Sequence, residues 1–155
     1  MKRIASLILV ALMTITLSGC GKTTAKNVAV NDVIVAVEEK VEFPASENYT
    51  DMARFEQEYY VNGADIEEFV VKKPKINVSA SEVAIIKVKE AGKVEDVKAS
   101  VEKHVKDLET QWEHYLPDQL ELVKNAKINT FGNYVVLIIS PDAEQVENII
   151  QEQLK

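Results

Sequence analysis

Cysteine is nearly absent from this chain. Cys20 is the only one in 155 residues, so no disulfide can form within a molecule and packing alone must hold the fold. Histidine is almost as scarce, at two residues, and the sequence has no cysteine pair, no His-x-x-x-His spacing and no Asp-rich calcium loop. A transition-metal site is therefore not expected, and nothing points to a cofactor. Gly-x-Ser-x-Gly, a common serine-nucleophile signature, is missing too. Positive charge is in deficit, with 18 Lys and Arg against 25 Asp and Glu. Nucleic-acid binding relies on clustered basic residues that neutralise phosphates, so nucleic acid is not an expected partner. The same deficit argues against polybasic attachment to anionic lipid heads.

The chain has one long apolar run. Ile4 to Leu17 is interrupted only by Ser6, Thr14 and Thr16, and it follows Lys2 and Arg3. At about 14 residues it falls short of the ~20 that span a bilayer as a permanent helix. Charged start, short apolar core and the small residues Ser18 and Gly19 are the three parts of a secretory signal. Leu17-Ser18-Gly19-Cys20 reads as a lipobox, which predicts a signal peptide over 1–19 and lipidation of Cys20. Two acyl chains on the Cys20 thioether meet the requirement for stable anchoring at ~0.8 kcal/mol per buried methylene. The predicted location is the extracytoplasmic face of a cell membrane, with the membrane itself as a partner through that lipid. Gly19-Cys20-Gly21-Lys22-Thr23 mimics the end of a phosphate-binding loop, but that motif needs a glycine where Thr16 stands.

Removing residues 1–19 takes Lys2 and Arg3 with it, leaving 16 basic against 25 acidic residues and a net charge of −9. Residues 20–30 read as a lipidated cysteine and polar tether, and 31–155 as one domain. The predicted elements are a helix from Asp32 to Val41 ended by Pro44, with a strand over the uniformly apolar Val33–Val37 as the alternative, and a second helix over Asp51–Tyr59 capped by Thr50. A helical turn over Ala64–Glu68 is expected before a short strand at Phe69–Val71. Glu82–Lys89 reads as a strand. Val94, Val97, Val101, Val105, Leu108, Trp112 and Tyr115 form a core-facing stripe on the longest helix. Pro117 interrupts that helix, and a shorter one follows over Asp118–Ala126.

Lys127–Phe131 and Tyr134–Ile139 flank Gly132-Asn133, a two-residue hairpin link. Ser140 is the expected cap of a last helix with Pro141 at its first position. The order α-α-β-β-α-α-β-β-α predicts an α+β fold. Its antiparallel sheet has about four strands built from sequential hairpins, packed against the long helix and the C-terminal helix. Tyr134–Ile139 lacks polar alternation, so both faces of that strand should be covered.

Candidate chemistry is sparse. His104 and His114 lie on one helix but point about 80° apart, too far to share an ion, and both read as solvated beside Glu102 and Glu113. Glu38-Glu39 and Glu67-Glu68 are the nearest carboxylate pairs, and adjacent side chains diverge on helix or strand, so both read as surface charge. Tyr59, Tyr60, Trp112 and Tyr115 read as core, with the lining of a carbohydrate or peptide groove as the alternative. No catalytic residue is assigned.

Asp65-Ile66 with Phe69-Val70, Glu82 to Val88, Tyr115-Leu116-Pro117, Asn125 to Ile128, Gly132 to Val135 and Ile139 to Asp142 follow one another in a recognisable order. In that order and spacing, over about two-thirds of the mature chain, the sequence resembles an uncharacterised family of bacterial lipoprotein domains found mainly in Gram-positive bacteria. The resemblance implies location and single-domain architecture and supplies no catalytic residues. The expected function is a lipid-anchored, non-enzymatic module that binds an envelope protein, peptide or glycan or joins an envelope assembly. The alternative is an envelope hydrolase whose acid-base groups, drawn from Glu68, Glu82 and His104, meet only in the fold. A small-ligand receptor is weaker, because the chain is too short for two closing lobes.

Overall fold

Valine and isoleucine at helical spacing form the first helix among the described residues. A computed structural model describes residues 25–155; the predicted signal and Cys20 lie outside the described residues. Val30, Val33, Ile34 and Val37 form the buried face of α1 (Val30–Glu38). The helix begins before Asp32, which sits in its first turn instead of capping it, because the distant Glu68 carboxylate accepts from the Val30 N–H at 3.0 Å. It also ends well short of Pro44.

β1 (Ser46–Tyr49) is a strand that the sequence reading lacked. It is polar and only Tyr49 is buried, as suits an edge strand. α2 (Met52–Tyr59) is capped by Asp51, whose carboxylate accepts from Arg54 N–H at 2.7 Å; Thr50 lies one residue too early. The helical turn expected over Ala64–Glu68 is confined to Gly63–Asp65, and Ile66 already opens β2 (Ile66–Pro74).

β3 (Glu82–Val88) is buried at all seven positions. α3 (Val94–Trp112) carries the long apolar stripe, and it stops before Tyr115, which is exposed. α4 (Pro117–Lys124) starts with Pro117 in its first turn after an extended Leu116, as steric conflict with the proline ring requires. β4 (Lys127–Phe131) and β5 (Tyr134–Ile139) are joined by Gly132-Asn133. α5 (Ala143–Leu154) begins two residues later than expected. Ser140 Oγ accepts from Asp142 N–H at 3.1 Å, so it closes a turn before the helix instead of capping it.

The observed order is α-β-α-β-β-α-α-β-β-α. The sheet is antiparallel with five strands in the order β1-β2-β3-β5-β4, one more than expected. The α+β class stands, arranged as three layers. One face of the sheet (Phe69, Val71, Ala84, Ile86, Val135, Leu137) packs on α2, α3 and α4. The other (Val70, Val83, Ile85, Val136, Ile138) packs on α1 and α5. This double cover explains why β5 shows no alternation of polar and apolar residues. Among the described residues no helix is long and apolar enough to cross a membrane.

Candidate functional site

The side-chain parity of β3 decides where its polar residues go. Ala84, Ile86 and Val88 face α3, so Glu82, two residues before Ala84, faces α3 as well. On α3, His104 follows Val101 by three residues and precedes Leu108 by four, which puts it on the buried stripe. The two meet inside the core. His104 Nε2 lies 2.8 Å from Glu82 Oε1, and the residues are 4% and 2% exposed. The expectation that His104 is solvated is therefore corrected: its acidic neighbour Glu102 points to water while the imidazole turns inward. His114, by contrast, is open to solvent.

Three further groups complete the centre. His104 Nδ1 lies 3.0 Å from the Glu58 carbonyl oxygen at the end of α2. A carbonyl and an ionised carboxylate only accept hydrogen bonds, so this geometry calls for a proton on each ring nitrogen. The Tyr59 hydroxyl donates to Glu82, and its ring stacks on the imidazole with centroids 4.0 Å apart. Lys73 Nζ, from β2, stands 3.4 Å from the second Glu82 oxygen. Burial opposes the charge on Glu82, but hydrogen bonds from His104 and Tyr59 and the nearby Lys73 overcome it and hold its carboxyl below the usual range. Burial and the adjacent carboxylate push the Tyr59 phenol well above its ordinary value.

The centre reaches the surface through one chain of charges. Lys73 also contacts Glu58 at 3.0 Å, and Glu58 accepts from Arg54 at 2.9 Å and from the Tyr49 hydroxyl at 2.9 Å. Arg54 lies over the Tyr49 ring at 3.9 Å and within 3.5 Å of Glu47. Burial raises the Glu58 carboxyl, yet the bonds from Arg54, Lys73 and Tyr49 dominate and place it at about 2. Among the described residues every buried side-chain nitrogen and oxygen has a partner.

The other predicted residues are dispersed. Glu68 lies on the opposite face of the sheet, beside α1, so the trio Glu68, Glu82 and His104 does not assemble. A register shift in β2 between Ile66 and Glu68 lets both Glu67 and Glu68 reach Lys87, at 2.7 and 3.0 Å. These carboxylates converge where an unbroken strand would separate them, and one lysine bridges the pair. Glu38 binds Lys72 and Asn48, both at 2.8 Å, while Glu39 faces solvent. Of the four aromatics read as core, Tyr59 and Trp112 are buried and Tyr60 and Tyr115 are exposed. Tyr60 leaves the core because it ends α2 in the left-handed conformation, at φ 58°. An open groove beside the start of α5, lined by Asn125, Lys127, Asp142, Gln145 and Asn148, contains none of the centre's side chains. Among the described residues no group of three or more His, Cys, Asp and Glu side chains is placed to hold a metal ion.

The family model for a domain of unknown function, DUF4358, matches residues 39–140. The chain belongs to this family. The matched span runs from the end of α1 to the residue after β5, so the whole sheet and the Glu82–His104 centre fall inside it. All of α1 and all of α5, which cover the second face, fall outside the DUF4358 match. No curated protein and no solved structure matches the chain.

Proposed function

We propose that this DUF4358 protein is a lipid-anchored extracytoplasmic lipoprotein whose folded domain is a non-enzymatic binding or envelope-assembly module. The observation that carries the non-enzymatic half is the enclosure of Glu82, His104 and Tyr59. All three are buried, and all three bind one another instead of facing a cleft. An acid-base pair needs its proton-transferring atoms within hydrogen-bond reach of a substrate. Here those atoms are already filled by the protein's own groups. Of the three groups the hydrolase alternative names, Glu82 and His104 meet in the core, and Glu68 lies on the other face of the sheet.

Support for the anchor comes from Leu17-Ser18-Gly19-Cys20. Labelling cells with a radioactive fatty acid should mark the wild type and leave Cys20→Ala unmarked; an unmarked wild type would overturn the anchor. Cross-linking the exported domain in its own envelope should capture an envelope protein, peptide or glycan. Cleavage of envelope polymers by the purified domain, lost in Glu82→Gln, would overturn the non-enzymatic reading.

A further inference from the structure

The segment that leads into α1 is docked on the domain. Lys26 N–H donates to the Leu154 carbonyl at 2.9 Å, at the last turn of α5. The Tyr134 hydroxyl donates to the Val28 carbonyl at 2.6 Å and accepts from Val28 N–H at 2.9 Å, and Glu68 accepts from Val30 N–H. Ala25 lies so close to Gly132 that a β-carbon there would sit 2.9 Å from its own. From Ala25 onward the segment predicted as part of a spacer over 20–30 makes these contacts with the domain. These contacts fix where the chain enters, at the end of the sheet that carries the Gly132-Asn133 turn.

Two consequences follow from that entry point. From Cys20 to Ala25 there are five Cα–Cα steps, a reach of about 18 Å, roughly half the diameter of a domain of this size. The entry end also carries three exposed lysines. Lys26 is beside Leu154, Lys155 follows it, and Lys89 comes directly after Val88, whose N–H binds the Asn133 carbonyl at 2.8 Å. Glu90 is the exposed acidic neighbour of Lys89, and Asp65 is within 3.9 Å of Lys93. Exposed Glu67, paired with Lys87 at 2.7 Å, is a further carboxylate at this end. The β2–β3 loop, with Ile76 and Val78 exposed, lies at the opposite end of β3, about 20 Å away at ~3.3 Å per residue.

We propose that the lipid surface is the partner of the entry end: with Cys20 acylated, Ala25, the Gly132-Asn133 turn, Lys26, Lys89 and Lys155 rest against anionic headgroups and the 75–81 loop faces away. This rests on the lipoprotein reading, and the test separates the two. The protein from Cys20 onward is coupled through that cysteine to a maleimide phospholipid, in vesicles of phosphatidylcholine and phosphatidylglycerol. The anchor is then present whatever happens in cells. A fluorescent amino acid is placed at Asn133 or at Val78, and quenching by a spin-labelled headgroup is read.

Quenching at Asn133 should exceed that at Val78 several-fold. Tyr134→Phe, which removes both bonds to Val28 and keeps the ring, should shrink the difference. Lys26→Glu with Lys155→Glu should shrink it in the anionic vesicles. Equal quenching at the two sites, or an undiminished difference in Tyr134→Phe, would overturn the orientation. Failure of fatty-acid labelling in cells, with the asymmetry intact on vesicles, would overturn the anchor and leave the geometry standing.

Discussion

Glu82 and His104 show how one pair of residues is stabilised and what its loss would cost. Truncating one member of a buried ion pair leaves the other charge unpaired, at about 3–5 kcal/mol. Glu82→Ala should lower the unfolding free energy by about that much in urea titration, and Glu82→Gln by less, because the amide oxygen still accepts from Tyr59. The carboxylates also set a pH dependence. Glu58 and Glu82 are both held below their usual range in the folded state, so the unfolded chain binds more protons in acid. Their stabilisation is complete above about pH 4.5 and is lost as pH falls through the folded values, towards about 2 for Glu58. Solvent screening at the half-buried Glu58 reduces its share to about 1–2 kcal/mol. Urea midpoints should fall between pH 6 and pH 3, and Glu58→Gln should flatten that slope. Both buried residues were legible in principle. His104 fits the stripe through Val101 and Leu108, and Glu82 has the parity of Ala84 and Ile86. Histidine and glutamate occupy wet positions more often than buried ones, so residue type and spacing point opposite ways at His104 and Glu82.

Elements whose signal is local were legible, and those set by distant contacts were not. The β4–β5 hairpin follows its Gly132-Asn133 link, and β3 follows its apolar run. Ser46-Glu47-Asn48-Tyr49 becomes β1 only because β2 offers it an edge, and nothing in its own composition favours a strand. α1 starts at Val30 because Glu68, on the strand face beneath it and 38 residues away in sequence, accepts from its first N–H. The docked segment beside Gly132 gives a test at this scale. Gly132 has φ 55° and Ala25 pressed against it, whereas nothing lies within 4 Å of a β-carbon placed on Gly92. Gly132→Ala should destabilise by about 1–2 kcal/mol. Gly92→Ala should be close to neutral, with both read by thermal unfolding.

At the scale of the molecule, the α+β class, the antiparallel sheet and the doubly covered β5 were legible because hydrophobic period and turn chemistry agree there. The three-layer closure needed α5 to join α1 on the second face, a pairing that no local pattern encodes. On the first face, α2 and α3 close over the polar centre and seal it against the sheet. Diethylpyrocarbonate modification of the folded protein, located by peptide mass spectrometry, tests that seal directly. His114 is exposed and should react at once, while His104 should react only as the protein unfolds. Modification of His104 at the rate of His114 in the folded state would show an open, reachable imidazole and contradict the account.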